Sequence, residues 1–108
     1  MASTFLGSDT LSVDRYINRE FHDLEVEKMW NRTWQATCRE TEIAKPGDFF
    51  VYDIARYSVV LTRTEAGELK GFYNACLHRG TQLKPPASVG YSPKLRCPFH
   101  GWTWSLEG

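Results

Sequence analysis

The pattern of apolar and polar residues divides the chain into a helical part and a sheet-forming part. The stretch 18–33 has good helix formers, no Gly or Pro, and apolar residues near helical spacing: Phe21, Leu24, Met29 and Trp30. This pattern predicts one amphipathic helix over 18–33, with Asn18 or Asp23 as its N-cap. The residues before it, rich in Ser, Thr and Gly, predict a flexible arm over 1–11.

After residue 34 the pattern changes to short runs of β-branched and aromatic residues, separated by turn formers. It predicts turns and strands in alternation, with turns at 45–48, 55–56 and 65–68 and strands over 34–39, 49–54, 57–63 and 69–74. These strands favour a small antiparallel meander or barrel. From Cys76 onward Gly and Pro are too frequent for regular structure throughout. This part of the chain is therefore predicted to form two loops joined by a linking segment, or excursion.

Composition and charge narrow the classes of partner. The 13 Lys and Arg residues balance the 13 Asp and Glu residues and are scattered, so no long-range field would gather nucleic acid or anionic lipid. The densest apolar run, 49–52, is too short to span a bilayer, and the first residues lack a targeting pattern. We therefore predict a cytoplasmic protein that binds neither nucleic acid nor membrane.

Two short motifs each pair a cysteine with a histidine: Cys76-Leu77-His78 and Cys97-Pro98-Phe99-His100. An odd number of cysteines without a secretion signal does not suggest a disulfide framework, whereas thiolate and imidazole ligands suit iron, zinc or copper. In an extended loop, residues two apart have Cα atoms about 6 to 7 Å apart. Cys76 and His78 are therefore awkwardly spaced for one small tetrahedral ion, and two metal ions between the loops would relieve the constraint.

The residues around both motifs strengthen this interpretation. FYNACLHRGTQL and LRCPFHGWTWSLEG closely resemble the two cluster-binding segments of the large (alpha) subunits of Rieske non-haem iron aromatic-ring-hydroxylating oxygenases. Upstream, EVEKMWNRTWQ, CRETEIAKPGDFF and VVLTR are similar to the N-terminal lead-in of those subunits. The resemblance therefore covers nearly the whole chain after the arm.

The resemblance implies a mainly β fold with one N-terminal helix, namely a Rieske-type antiparallel β-sandwich or small barrel with two cluster-binding loops. It implies a helical lead-in over 12–34 and a Rieske 2Fe-2S domain over 35–108, without the closing C-terminal strands and the catalytic domain. The cofactor-binding and metal ligands would be four side chains, with sulfur on one iron and nitrogen on the other: Cys76, Cys97, His78 and His100. No residue of the chain is assigned a catalytic role.

By the same resemblance, residues beside the ligands have supporting roles. Gly80 and Gly101 are expected to turn the backbone where a Cβ would clash, and to expose amides that donate to cluster sulfurs or thiolates. Pro98 is expected to stiffen the second loop, and Phe99 and Trp102 are expected to shield the cluster from water.

The implied function is the electron-transfer part of an oxygenase that incorporates dioxygen into an aromatic or similar organic substrate. Electrons from NADH would pass through a reductase, with or without a ferredoxin, to the cluster. They would then reach a mononuclear iron in a neighbouring alpha subunit, within a three-fold trimer with or without beta subunits. That iron needs two histidines and one carboxylate, and only His22 of the three histidines here is left for it. The mononuclear iron is therefore expected outside this chain.

Two alternatives use the same motifs differently. A free-standing Rieske ferredoxin would only carry electrons, but such ferredoxins generally begin at their first strand without a preceding helix. A structural Cys2His2 zinc module would use the same four side chains, although zinc pairs usually show wider internal spacing. Outside the motifs, Cys38 is expected to be a core residue and His22 a surface or capping residue.

Overall fold

The computed structural model describes Gly7 and residues 10–108 of the chain. It divides the chain into two compact units, Met1–Trp34 and Gln35–Gly108. Most of the predicted arm, 1–11, lies outside the described residues. Over the part of the chain that is described, no helix is both long enough and apolar enough to cross a membrane.

The first unit contains short helices where the sequence predicts a single one. They are α1 (Asp14–Ile17) and α2 (Arg19–Glu25), and α2 continues into a π-helix, Val26–Trp30. The predicted helix over 18–33 is therefore confirmed in kind but ends at Trp30. Just beyond that end, the Thr33 hydroxyl donates to the carbonyl of Met29 at 3.1 Å, which satisfies a carbonyl in the last turn.

The start of α2 follows the predicted capping chemistry. The Asn18 side-chain oxygen accepts a hydrogen bond from the backbone N–H of Phe21 at 2.9 Å, so Asn18 is confirmed as the N-cap. Asp23, the alternative cap, instead forms an exposed ion pair with Arg19, one turn earlier, at 3.2 Å.

The second unit is built on an antiparallel four-stranded sheet with the order β3-β2-β1-β4. Its strands are β1 (Asp48–Ile54), β2 (Tyr57–Arg63), β3 (Leu69–Tyr73) and β4 (Val89–Tyr91). The predicted strands at 49–54, 57–63 and 69–74 are confirmed, each with ends within one residue of β1, β2 and β3. A smaller sheet pairs β5 (Leu95–Arg96) with β6 (Thr103–Trp104).

The predicted strand over 34–39 is wrong. All of this stretch is described, and none of it forms a strand. A 3-10 helix, Glu40–Ile43, follows it, and its start is closed by the Arg39 N–H donating to Glu42 Oε2 at 2.7 Å. β-Propensity alone does not make a strand, because the stretch must also pair with a sheet edge. Cys38, expected in the core, is only half-buried.

The core of the second unit collects side chains from both sheets and from the loops after β3. Residues of β1 alternate between buried and less buried positions, as expected for a strand with one face toward a core. The buried cluster comprises Phe49, Val51, Val60, Cys76, Leu83, Leu95 and Cys97. It therefore includes the thiol of each Cys-His motif.

Two buried polar residues of β2 connect segments that are distant in sequence. The Thr62 hydroxyl donates to the Leu106 carbonyl at 2.8 Å. The Arg63 guanidinium donates to the carbonyls of Ile43 at 2.8 Å and Gly67 at 2.9 Å. These bonds satisfy buried polar groups and attach both the 3-10 helix and the segment after β6 to the main sheet.

Candidate metal centre

Each Cys-His motif folds into a tight loop of the same construction, here called the first finger (76–81) and the second finger (97–102). In both, the cysteine carbonyl accepts from the N–H of the glycine four residues on, and the cysteine N–H donates to the carbonyl five residues on. These bonds measure 2.7 and 2.8 Å in the first finger, and 3.0 and 2.8 Å in the second. The pattern is the same although the second motif has an extra residue between its ligands.

The glycine of each finger is required by its backbone conformation. Gly80 has φ +73° and Gly101 has φ +76°, a left-handed region that side chains other than glycine rarely adopt. The predicted Cβ clash is wrong at Gly80, where nothing lies within 4 Å of the Cβ position. At Gly101 an added Cβ would lie 3.3 Å from the Arg96 guanidinium. Both glycine amides donate within their own finger, so they are not the expected donors to sulfur.

The two cysteine thiols meet inside the core. Cys76 is 3% exposed and Cys97 is 2% exposed, and neither forms a disulfide. Backbone hydrogen bonds, first from Phe99 and then from His100, hold the pKa of the Cys97 thiol below its ordinary value. The side chains of Cys76 and Thr81 contribute in the same direction, whereas burial raises this pKa. These donors, rather than the glycines, stabilise a thiolate at Cys97.

The two histidine rings lie together on the outside of the same loops. His78 and His100 are exposed, and their ring centroids are 4.8 Å apart with the planes at 64°. The four candidate ligands are thus arranged as a buried sulfur pair and an exposed nitrogen pair. This juxtaposition comes from the two fingers lying side by side.

Aromatic residues of the second finger pack against both histidine rings. Trp102 stacks on His78 with centroids 4.4 Å apart and planes 7° apart. Phe99 packs against His100 at 3.9 Å and a tilt of 44°. Because Phe99 is 62% exposed and Trp102 is 48% exposed, they cover ring faces without closing the site to water in this chain. The stiffening role of Pro98 stays a prediction.

Asn74 lies just before the first finger, bonds to the segment that follows the finger, and was not singled out in the sequence. Its side-chain oxygen accepts from the amides of Leu83 at 3.1 Å and Lys84 at 3.0 Å. Its amide group donates to the Lys84 carbonyl at 2.8 Å and to the Ser58 hydroxyl at 3.1 Å. The available signal was an amide side chain at the end of a predicted strand, two positions before Cys76.

The arrangement of donors fits a group with two metal ions. Among the described residues, no three His, Cys, Asp or Glu side chains gather closely enough to hold one ion. The thiol pair and the imidazole pair instead offer two sulfur and two nitrogen donors in separate layers, a donor chemistry that suits a binuclear iron-sulfur group. His22 belongs to the first unit, where its ring nitrogen is 3.6 Å from Glu25.

Solved structures with similar folds carry the same kind of domain. A naphthalene 1,2-dioxygenase from Rhodococcus sp. is 40% identical, with a TM-score of 0.74 over 80% of this chain and 19% of that chain. The apo form of a quaternary ammonium Rieske monooxygenase is 27% identical, with a TM-score of 0.81 over 92% of this chain and 29% of that one. The predicted Rieske-type, mainly antiparallel β fold is therefore confirmed.

The chain is also similar in sequence to the large subunits of known dioxygenases. The large subunit of 2-halobenzoate 1,2-dioxygenase from Burkholderia cepacia is 34% identical over 95 residues, which is 88% of this chain and 20% of the relative. The large subunit of anthranilate 1,2-dioxygenase from Acinetobacter baylyi is 35% identical over 102 residues, which is 94% of this chain and 21% of the relative. The chain thus spans about a fifth of the length of these relatives. Since the family model of the Rieske [2Fe-2S] domain also matches residues 33–108, the chain belongs to the Rieske [2Fe-2S] domain family.

Proposed function

We propose that this chain is the electron-transfer part of an oxygenase large subunit, with a 2Fe-2S cluster between its two fingers. Cys76 and Cys97 would bind one iron, and His78 and His100 the other. The observation that carries this proposal is the layering of the ligands, because the fingers hold the thiols in the core and the imidazoles at an exposed tip. An electron can then be stored in a protected centre that is reached from outside through the histidines.

The residues of the two fingers would set the reduction potential. A bound cluster of this type accepts and releases one electron, and the two imidazoles lower the negative charge that all-cysteine ligation would place around it. Such centres lie at about −150 to +300 mV, against about −400 mV for plant-type all-cysteine centres. Donation to Cys97 from Phe99 and His100 amides would withdraw further charge from that thiolate, and so would also raise the potential.

The proposed partners follow from the same site. A reductase, with or without a ferredoxin, would supply electrons from NADH in the cytoplasm. His78 and His100, the exposed ligands, would pass them to the mononuclear iron of a neighbouring large subunit, in a trimer with or without beta subunits. The relatives are dioxygenase large subunits named for aromatic substrates, which supports an aromatic or similar organic substrate for the complete enzyme. Apart from the proposed ligands the chain has one histidine, His22, so it does not supply that iron site.

Two features weigh against the alternatives. A free-standing Rieske ferredoxin would not be expected to carry the helices of the first unit, α1 and α2. A structural zinc site needs its four donors around one ion, whereas here the sulfur and nitrogen pairs occupy separate layers.

Iron and acid-labile sulfide analysis of the purified chain tests the cluster directly. We expect about two irons and two sulfides per chain, and a reduced form with the low-average-g paramagnetic signal of a histidine-ligated cluster. Cys97→Ser should lose the iron and the sulfide, because it removes a buried ligand. Cys38→Ser is the matched control, since Cys38 is half-buried and outside the fingers.

Zinc at one equivalent without sulfide would overturn the proposal in favour of the structural zinc module. Equal loss of iron in Cys38→Ser and Cys97→Ser would show that the ligand assignment is wrong. A zinc-free chain that binds no iron after anaerobic reconstitution with iron and sulfide would also contradict it.

A further inference from the structure

The stack between Trp102 and His78 links the two fingers. His78 belongs to the first finger and Trp102 ends the second, and their rings are nearly parallel, at 7°, with centroids 4.4 Å apart. The Trp102 backbone is itself held, because its carbonyl accepts the N–H of Cys97 at 2.8 Å. The indole covers one face of the imidazole of a histidine on the other loop.

His78 also contacts the ring of His100, which belongs to the second finger, with centroids 4.8 Å apart and planes at 64°. Its neighbours in the first finger are exposed, with Leu77 at 84%, and the finger turns through a left-handed glycine, Gly80. His100, in contrast, packs against its own sequence neighbour Phe99. The ring contacts of His78 thus come from the opposite finger, and Trp102 is the one that stacks on its face.

We infer that Trp102 is a positioning residue, which fixes the plane of the His78 imidazole and sets the reduction potential of the centre. This inference rests on the proposed function, since it requires His78 to be a cluster ligand. It goes beyond a general shielding role, because it assigns Trp102 to one histidine and predicts the direction in which its loss changes the potential.

Removing the indole should have two effects on the reduction potential, and both raise it. The reduced cluster carries one more negative charge than the oxidised cluster, so water reaching the freed face of His78 favours reduction. The face of an aromatic ring is electrostatically negative, so loss of the indole also removes a contribution that favours the oxidised form. The potential should therefore rise when Trp102 is replaced by an aliphatic residue.

The test compares variants of the full chain carrying its cluster. Trp102→Leu removes the ring, and Trp102→Phe keeps a smaller ring that can stack. Trp34→Leu is the matched control, because Trp34 is fully exposed and outside both fingers. The measurements are the reduction potential, the paramagnetic resonance spectrum of the reduced cluster, and the iron and sulfide content.

We expect Trp102→Leu to raise the potential and broaden the spectrum at unchanged iron and sulfide content. Trp102→Phe should shift the potential less in the same direction, and Trp34→Leu should match the parent chain. An unchanged potential and spectrum in a loaded Trp102→Leu chain would overturn the inference. If that variant does not load, an unshifted Trp102→Phe chain would overturn it instead. Failure of the proposed function would show separately, as a parent chain without iron and sulfide.

Discussion

The choice of histidine at His78 and His100 is the side-chain feature with the largest electronic consequence for the proposed centre. In the proposed centre each imidazole would bind as a neutral ligand, whereas a cysteine in its place would bind as an anion. The two rings also lie at the exposed side of the site, where electrons would enter and leave. The charge of these ligands would therefore contribute most to the reduction potential of the proposed centre.

His100→Cys should lower the reduction potential of the loaded chain, because it adds a thiolate charge to the centre. Potentiometric titration of the reduced signal measures the shift. His22→Cys is the matched control, because His22 is the one histidine outside the fingers and lies on α2. An unchanged potential in His100→Cys, at full iron content, would count against His100 as a ligand.

The fingers depend on the strand and loop segments that hold them. The first finger starts just after β3, and Asn74 fixes that junction through bonds to Leu83 and Lys84 in the excursion between the fingers. The second finger is carried by the β5–β6 pair, in which Arg96 lies opposite Thr103. Each cysteine is thereby presented from an ordered support, although the fingers themselves have little regular structure.

Asn74→Leu should destabilise the chain and also release iron. It leaves the buried amide of Leu83 and the part-buried backbone groups of Lys84 without Asn74 as partner, at a cost of about 1–3 kcal/mol for each group that stays unsatisfied. Urea denaturation measures the lost stability, and metal analysis after gel filtration measures the iron retained.

Thr62→Val provides the comparison for Asn74→Leu. It removes a buried hydrogen bond to Leu106, also at a cost of about 1–3 kcal/mol, but this bond, unlike those of Asn74, does not join the residues on either side of a finger. We expect both variants to be less stable and only Asn74→Leu to lose iron. Iron loss in proportion to destabilisation in both variants would contradict a specific role for Asn74.

The core and the candidate centre of the second unit form one structure. Cys76 and Cys97 belong to the same buried cluster as Phe49, Val51 and Val60. A ligand that binds only the folded state stabilises that state. Loss of the iron-sulfur cluster and unfolding of the hydrophobic core should therefore be coupled. This coupling makes the melting temperature a reporter of the centre.

Removal of iron and sulfide by a chelator under reducing conditions should lower the melting temperature. We expect a decrease of roughly 5 °C or more, because 1 kcal/mol corresponds to about 4–8 °C in a domain of this size. Circular dichroism measures the transition before removal, after removal and after reconstitution.

Cys97→Ser serves as the control for chelation, because it should already lack the cluster and should show no further decrease. Equal melting temperatures for the loaded and the cluster-free parent chain would show that core and centre are not coupled.

Several local features of this protein can be predicted from its sequence alone. Alternating apolar residues and turn formers place β1, β2 and β3 within a residue of their ends, because these signals act over a few neighbouring positions. Asn18 caps α2 for the same reason. The Cys-His motifs and their flanking residues identify the family, which the match over 33–108 confirms.

Features that depend on contacts between distant residues become visible only in the folded chain. The stretch 34–39 has strand-forming residues but does not form a strand, since pairing is a property of the sheet and not of the segment. The supporting role of Asn74 follows from contacts with residues 83 and 84, and the Trp102–His78 stack follows from two loops meeting. Such contacts leave no periodic signal, because the positions involved are brought together only when the chain folds.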